Sequence, residues 1–345
     1  MKVYRWTSGA TRSLEAHEEP LPSVGDRDVL IRVHAASLNY RDQAILDGEY
    51  GGALQSNGVP LSDGAGEVAA VGRAVTRAKV GDRVTASCHP QWIAGDTRQE
   101  YHADSLGMTT DGWLAEYILL HENAVVHIPD YMSYVEAASL PCAGVTSWTA
   151  LNLLSPLQPG QTVLVQGTGG VALFALQFAR LFGARVLAIT SSDAKAERLK
   201  DLGAAEVVNY TTLPDWDAKI LELTSGVGVD KTIDIAGDTT IVKSVAATRK
   251  GGEVAVVGFV SGFGGGLPPM DILLRSARLA GSAIGPRANF DAMMAAMAMH
   301  GVRPVIDQVF PFAQYQDAYR RLKSGQHIGK VVIQVSDQNE ALQHG

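Results

Sequence analysis

Immediately after the apolar run Val163 to Gln166 comes Gly167-Thr168-Gly169-Gly170-Val171-Ala172, a G-x-G-x-x-A that opens directly into a helical segment. Gly167 permits a tight turn, Gly169 lets backbone approach a pyrophosphate, and the small Ala172 lets the helix sit close to its strand. The helix start, from Gly170 and Val171 onward, adds unpaired N–H groups and positive partial charge that attract phosphate oxygens. An ordinary glycine-rich turn is the competing reading. The strand before the motif, the helix after it and a second strand beyond favour a dinucleotide site.

That second strand ends in Ile189-Thr190-Ser191-Ser192. Proteins that bind NADH usually carry an acid there, about 20 residues past the first glycine, to accept from the ribose hydroxyls. Here the strand end carries hydroxyls instead, and Lys195 and Arg198 follow one turn apart on the next helix. Hydroxyls with cations suit a 2′-phosphate. Ser191 or Ser192 could equally cap that helix, and a cap and a phosphate ligand can be the same serine. The pattern favours NADPH over NADH.

The elements that must position these residues follow from the texture of the chain. Its 345 residues exceed what one core usually organises, so two domains are expected. Residues 1–127 carry short alternating or β-branched runs, such as Val29 to Val33, between Gly, Pro and Asp, which predicts a β-rich domain. Within it, residues 87–112 form a long polar stretch that reads as a functional lid or a mobile surface loop, and a metal role for His89, Asp96, Glu100, His102 and Asp104 has no supporting spacing. Residues 128–285 alternate apolar runs with helical segments, predicting a parallel sheet covered by helices on both faces. Gly262-Phe263-Gly264-Gly265-Gly266 is a local loop in it. Residues 286–345 add a helix over Phe290 to His300, another after Phe312, and a closing strand Lys330 to Ile333.

Composition excludes several classes. Hydrophobic residues make up 46% and charged residues 19%, the balance of a folded chain. A net charge of -7 with no long basic run argues against nucleic acid. No apolar stretch approaches the ~18 residues of a membrane span, and the start lacks a signal h-region, so a cytoplasmic location is expected. The two cysteines, Cys88 and Cys142, allow at most one bridge.

Several further pieces resemble the medium-chain dehydrogenases/reductases, especially their quinone-oxidoreductase branch, to which zeta-crystallin belongs. They are Gly64-Ala65-Gly66-Glu67-Val68, Val80-Gly81-Asp82-Arg83-Val84, and Ala143-Gly144-Val145-Thr146 with Trp148-Thr149-Ala150-Leu151. The resemblance implies a GroES-like catalytic domain made of both chain ends, a central Rossmann domain with a doubly wound parallel sheet, and an active site in the cleft between them. It implies that Thr146 lies near the nicotinamide, that Gly258 and Phe259 contact its carboxamide end, that Tyr210 lies at the adenosine end, and that Lys330 is among the cofactor-binding residues. The segment 253–284 resembles the outer strands of the family's cofactor sheet, which implies a homodimer or a dimer-based tetramer.

Zinc members of that family hold a catalytic metal through a Cys before x-x-Asp, a His-Glu pair and a distant Cys. The matching positions here are Asn39, Ser62-Asp63 and Cys142. Asn39 and Ser62 are poor substitutes for thiolate and imidazole, so no metal is expected. Hydride transfer then relies on positioning and on donors to the oxygen that gains charge. Asn39 and Tyr50 are the candidates, with Tyr50 either a proton donor or an aromatic packed under a glycine-rich loop; Asp42 reads as structural and Cys142 as a small buried hydrophobe. The expected function is NADPH-dependent hydride transfer to a small carbonyl, enone or quinone. A zinc alcohol dehydrogenase with atypical ligands and a non-catalytic NADPH-binding sensor stand as alternatives.

Overall fold

The structure is a computed structural model that describes residues 1–7, 12–262 and 264–336. Residues 8–11, Phe263 and the tail 337–345 lie outside the described residues. The chain divides into two compact units, Met1–Val145 with Gly285–Gly345, and Thr146–Ile284.

The first unit opens with the antiparallel pair β1 (Lys2–Trp6) and β2 (Leu14–Glu18), followed by β3 (Asp28–Ser37), α1 (Tyr40–Leu46), β4 (Asp63–Val71), β5 (Arg83–Ala86), α2 (Gln99–His102), β6 (Tyr117–His121), β7 (Val125–His127) and α3 (Tyr134–Ala138). The helix α4 (Ala143–Asn152) crosses the division. The second unit alternates β8 (Thr162–Gln166), α5 (Gly170–Leu181), β9 (Arg185–Thr190), α6 (Asp193–Asp201), β10 (Glu206–Asn209), α7 (Trp216–Leu223), β11 (Val229–Asp234), α8 (Ile241–Ala247), β12 (Thr248–Val256), α9 (Pro269–Arg275) and β13 (Arg278–Gly281). The chain then returns to the first unit through α10 (Arg287–His300), β14 (Ile306–Pro311), α11 (Tyr315–Lys323) and β15 (Lys330–Gln334).

In the first unit the sheet runs β14-β15-β3-β4-β5-β7, with β6 also on β3. β15 pairs antiparallel with β3, Ile333 opposite Ala36, so the two chain ends share one sheet. The glycines of β4 answer to space: a Cβ on Gly64 would stand 2.3 Å from the buried Trp113 ring, and one on Gly66 would stand 2.0 Å from the Arg32 carbonyl oxygen. Trp113 anchors a core with Ile31, Leu61, Leu114, Phe310 and Ile333.

In the second unit six parallel strands run in the order β10-β9-β8-β11-β12-β13. The order reverses between β8 and β11, the place where doubly wound sheets bind ligands outside their strand ends. Val163, Leu164 and Val165 are fully buried, which is why this strand reads as a continuous apolar run. No helix among the described residues is long and apolar enough to cross a membrane.

Two expectations need adjustment. Residues 128–145 fall in the first unit, because α3 packs on β3, β4 and β15 and its Tyr134 stacks on His34 at 4.3 Å. The 87–112 stretch is less solvated than its polar composition suggested. Cys88, His89, Trp92, Ser105 and Leu106 are buried in it, and Trp92 stacks on Tyr101 at 5.9 Å. Aromatic stacking supplied burial there without any helical or alternating period.

Candidate functional site

In the second unit β8 ends at Gln166 and the chain turns at Gly167, whose φ of +78° is left-handed and therefore suits glycine. Gly167 donates its N–H to the Ile189 carbonyl at 2.7 Å, tying the turn to the neighbouring strand. Gly169 is the N-cap of α5, Gly170 and Val171 form its first turn, and Ala172 is wholly buried. Thr146 is buried on α4, and the next residue, Ser147, donates its hydroxyl to the Val171 carbonyl at 2.8 Å.

Because the sheet is parallel, the ends of β8, β9, β10 and β12 lie along one edge. That edge collects most of the residues expected at the cofactor. Ser192 caps α6, its hydroxyl accepting the Lys195 N–H at 3.3 Å. Ser191 is exposed and its carbonyl accepts from Thr211 Oγ1. Tyr210 donates its N–H to the Thr190 carbonyl at 2.9 Å and leaves its ring 42% exposed. Lys195 is half-buried and Arg198 is exposed. Gly258 follows β12, and a Cβ there would meet the Ile235 oxygen at 2.2 Å, so backbone packs on backbone; Phe259 is half-buried beside it.

Two carboxylates of this edge escaped the sequence reading. Asp193, first residue of α6, accepts from Asn209 Nδ2 at 2.8 Å. Asp234, fully buried at the end of β11, accepts from Ser244 Oγ (2.6 Å), Thr240 Oγ1 (2.9 Å) and the Gly237 N–H (2.8 Å). An acid closing an otherwise apolar strand was the available signal for Asp234.

In the first unit Asn39 is the N-cap of α1 and donates its backbone N–H to Asp42 Oδ2 at 2.7 Å. Its side-chain oxygen accepts from the ammonium of Lys330, which also donates to the Leu38 carbonyl at 2.7 Å and lies 3.7 Å from Asp63. An ammonium only donates, so its partner on Asn39 is the oxygen, and the amide nitrogen is turned the other way, 3.5 Å from Ser62 Oγ. Asp63 is fully buried and accepts from Ser62 Oγ at 2.7 Å and from the Cys142 N–H at 3.1 Å. Cys88 points its sulfur at the same carboxylate, 3.5 Å away. Burial first, then the Cys142 thiol and the Asp63 charge, pushes the Cys88 thiol well above its ordinary range. Cys142 is half-buried, less enclosed than a small core hydrophobe.

Tyr50 belongs to the first unit as well. Its half-buried ring packs on the first unit's core, 5.8 Å from the Arg41 guanidinium carbon. Burial pushes the Asp42 carboxyl up to about 6.

Comparison with known proteins now decides the family. The alcohol dehydrogenase GroES-like domain matches residues 25–130, and the zinc-binding dehydrogenase family matches residues 170–299. A zinc-type alcohol dehydrogenase-like protein of Schizosaccharomyces pombe is 39% identical over 93% of this chain and 94% of its own. The chain belongs to the medium-chain dehydrogenase/reductase superfamily. Among solved structures, an NAD-dependent alcohol dehydrogenase is 33% identical with a TM-score of 0.88, covering 97% of this chain and 100% of its own. A quinone oxidoreductase of Pseudomonas syringae pv. Tomato is 26% identical with a TM-score of 0.82 at the same coverages. This medium-chain dehydrogenase/reductase is an oxidoreductase with a Rossmann-like parallel sheet and a GroES-like domain.

The family name raises the question of zinc, and the residues at the ligand positions do not fit it. Asn39 and Ser62 replace thiolate and imidazole, both Asp63 oxygens already accept hydrogen bonds, and the Cys88 thiol is held protonated. A cation, the Lys330 ammonium, already stands beside Asp63. Among the described residues no group of three or more His, Cys, Asp or Glu side chains is placed to hold a metal ion.

Proposed function

We propose that this member of the superfamily is a zinc-independent, NADPH-dependent oxidoreductase that reduces a small carbonyl, enone or quinone. The observation that carries the reading is the Lys330 ammonium on Asn39 and beside Asp63, at positions where zinc relatives would need metal donors. The likeness to a quinone oxidoreductase supports the substrate class.

The glycine turn and the α5 N-terminus suit a pyrophosphate, with Gly167, Gly169, Gly170, Val171 and Ala172 shaping it. Ser191, Ser192, Lys195, Arg198 and Tyr210 would receive the phosphorylated ribose and adenosine, and Thr146, Gly258 and Phe259 the nicotinamide end. Bound there, the dinucleotide supplies the hydride. Asn39 donates through Nδ2 to the substrate oxygen as that oxygen gains charge, and Lys330 holds the amide in the donating orientation. Tyr50 is the second donor to that oxygen.

The partner of the chain is a second copy of itself. β13 is the edge strand of the parallel sheet, and α9, which packs on β12 and α8, exposes Met270, Leu273 and Leu274, which supports a homodimer or a dimer-based tetramer. Light scattering should show no monomer at micromolar concentration.

Elemental analysis tests the central claim. Zinc should be well below one per chain, and NADPH oxidation with quinones and enones should survive chelation. One tightly held zinc lost together with activity would replace this reading with a zinc-dependent alcohol dehydrogenase.

A further inference from the structure

Arg41 lies on α1 with 8% of its surface exposed. Its guanidinium cannot shed its proton, so a buried charge is permanent at this place. Among the described residues no carboxylate lies within ion-pair distance of it. Nε has no hydrogen-bond partner, and Nη2 makes two long contacts, to Ser105 Oγ at 3.3 Å and the Leu106 carbonyl at 3.4 Å.

The nearest counter-charge is Asp42, whose field is the first to raise Arg41 against its burial, but it makes no ion pair with the guanidinium. Asp42, the adjacent residue, is still mostly ionised at neutrality although burial raises it to about 6, but its Oδ2 is turned toward the Asn39 N–H. Asp63 is engaged by Ser62 and Cys142. Burial, with Arg41 next in weight, pushes His89 down to about 4, so that ring stays neutral beside the guanidinium. The Tyr50 ring faces the cation at 5.8 Å, an attraction much weaker than an ion pair. A buried guanidinium whose Nε lacks a partner and which makes no ion pair is stabilised further by an anion in direct contact with it.

We propose that Arg41 is the receptor for a carboxylate carried by the substrate, so that the reducible compound is an acid: an enone or carbonyl with a carboxylate away from the reacting oxygen. The Nε edge of the guanidinium offers the parallel N–H pair that grips two carboxylate oxygens at once. Arg41 lies two places beyond Asn39 on the same helical path, about 200° around it. The two side chains therefore serve different parts of one molecule, Asn39 the oxygen that gains charge and Arg41 a charge already present before reaction. The permanence of the guanidinium charge favours a permanent anion over an oxygen charged only in the transition state. This proposal rests on the reductase reading for the reacting end and on the Arg41 geometry alone for the acid.

The test separates the two. Binding of 4-oxopentanoate and of its methyl ester to the NADPH-loaded protein is measured by calorimetry, and turnover is measured with 4-oxopent-2-enoate and its methyl ester. Wild type should bind the acid about ten- to a hundredfold more tightly than the ester, and Arg41→Gln should lose that margin while binding the ester as before. Arg41→Lys, which keeps the charge without the fork, should fall between. In turnover the Arg41→Gln loss should sit in KM for the acid, with kcat nearly unchanged. Equal binding of acid and ester by wild type overturns the proposal even if Arg41→Gln fails to fold. A fall in kcat of Arg41→Gln, equal for acid and ester, also overturns it and makes Arg41 a transition-state group. Acid-selective binding without turnover of either compound leaves the anion site standing and removes the reductase reading instead.

Discussion

The glycine turn of the second unit and the Asn39–Asp63–Lys330 cluster of the first are built on opposite plans. In the turn, backbone does the work: a left-handed glycine, a helix start and a capped neighbour, all within a few dozen residues. In the cluster, side chains do it, and the partners Asn39 and Lys330 stand 291 residues apart in the chain. A backbone device tolerates changes in the side chains around it. A buried charge cluster depends on every member, because each one removed leaves another unpaired in low dielectric.

That contrast predicts its own largest effect. Lys330→Met should leave Asp63 without its cation and Asn39 without its donor, at a cost of about 3–5 kcal/mol by denaturant unfolding. A loss no larger than that of an exposed lysine would show that the cluster is held together by something else. Next, Asn39→Ala should lower turnover by about a hundredfold, as removal of an oxyanion donor does, with NADPH affinity little changed. Tyr50→Phe should follow in the same direction and by less. Unchanged turnover in both would move the chemistry to other residues.

On the side of the turn, Lys195→Ala should weaken NADPH by about one to two powers of ten and leave NADH nearly as it was. Dissociation constants for both nucleotides decide it: equal weakening, or a wild type that prefers NADH, would assign the edge of β9 to an unphosphorylated ribose.

The smallest effect contrasts the units in acid. His34 and His89 of the first unit are pushed down to about 4, chiefly by burial, while Asp42 is pushed up to about 6. Between about pH 6 and 4.5 the unfolded chain gains two histidine protons that the folded unit refuses, and the folded unit gains one on Asp42 that the unfolded chain refuses. The net difference of one proton lowers stability by about 1.4 kcal/mol for each pH unit of fall. Nearer the ordinary carboxylate range Asp82 and Glu122, both held at about 2 in the folded unit, act in the same direction. Hydrogen-exchange protection factors, corrected for the slower intrinsic exchange in acid, should therefore fall between pH 7 and 5 in the first unit before the second; a parallel fall would deny the assignment.

The same contrast explains what could be read early. G-x-G-x-x-A and the strand before it announced the parallel sheet, while the acid-free strand end after Ile189, and Asn39 and Ser62 at the family's ligand positions, carry the proposals for NADPH and against zinc. These features are legible because their physics is local. A positive φ, a helix start and a buried strand each depend on a handful of neighbouring residues. The polar stretch 87–112 misled for the complementary reason: Trp92, Tyr101 and His89 bury one another by contacts that carry no period.

By itself, then, the sequence determined the two-part architecture, the glycine turn after β8 and the residue types at the family's zinc positions. Only the tertiary structure decided that Lys330 bonds Asn39, that Cys88 joins Asp63 and that Arg41 is buried with no partner on its Nε. The pairing of β15 with β3 brings Lys330 to Asn39. The charge state of a buried group is set by which atoms surround it, and those atoms come from segments whose distance in the chain says nothing about their distance in the fold.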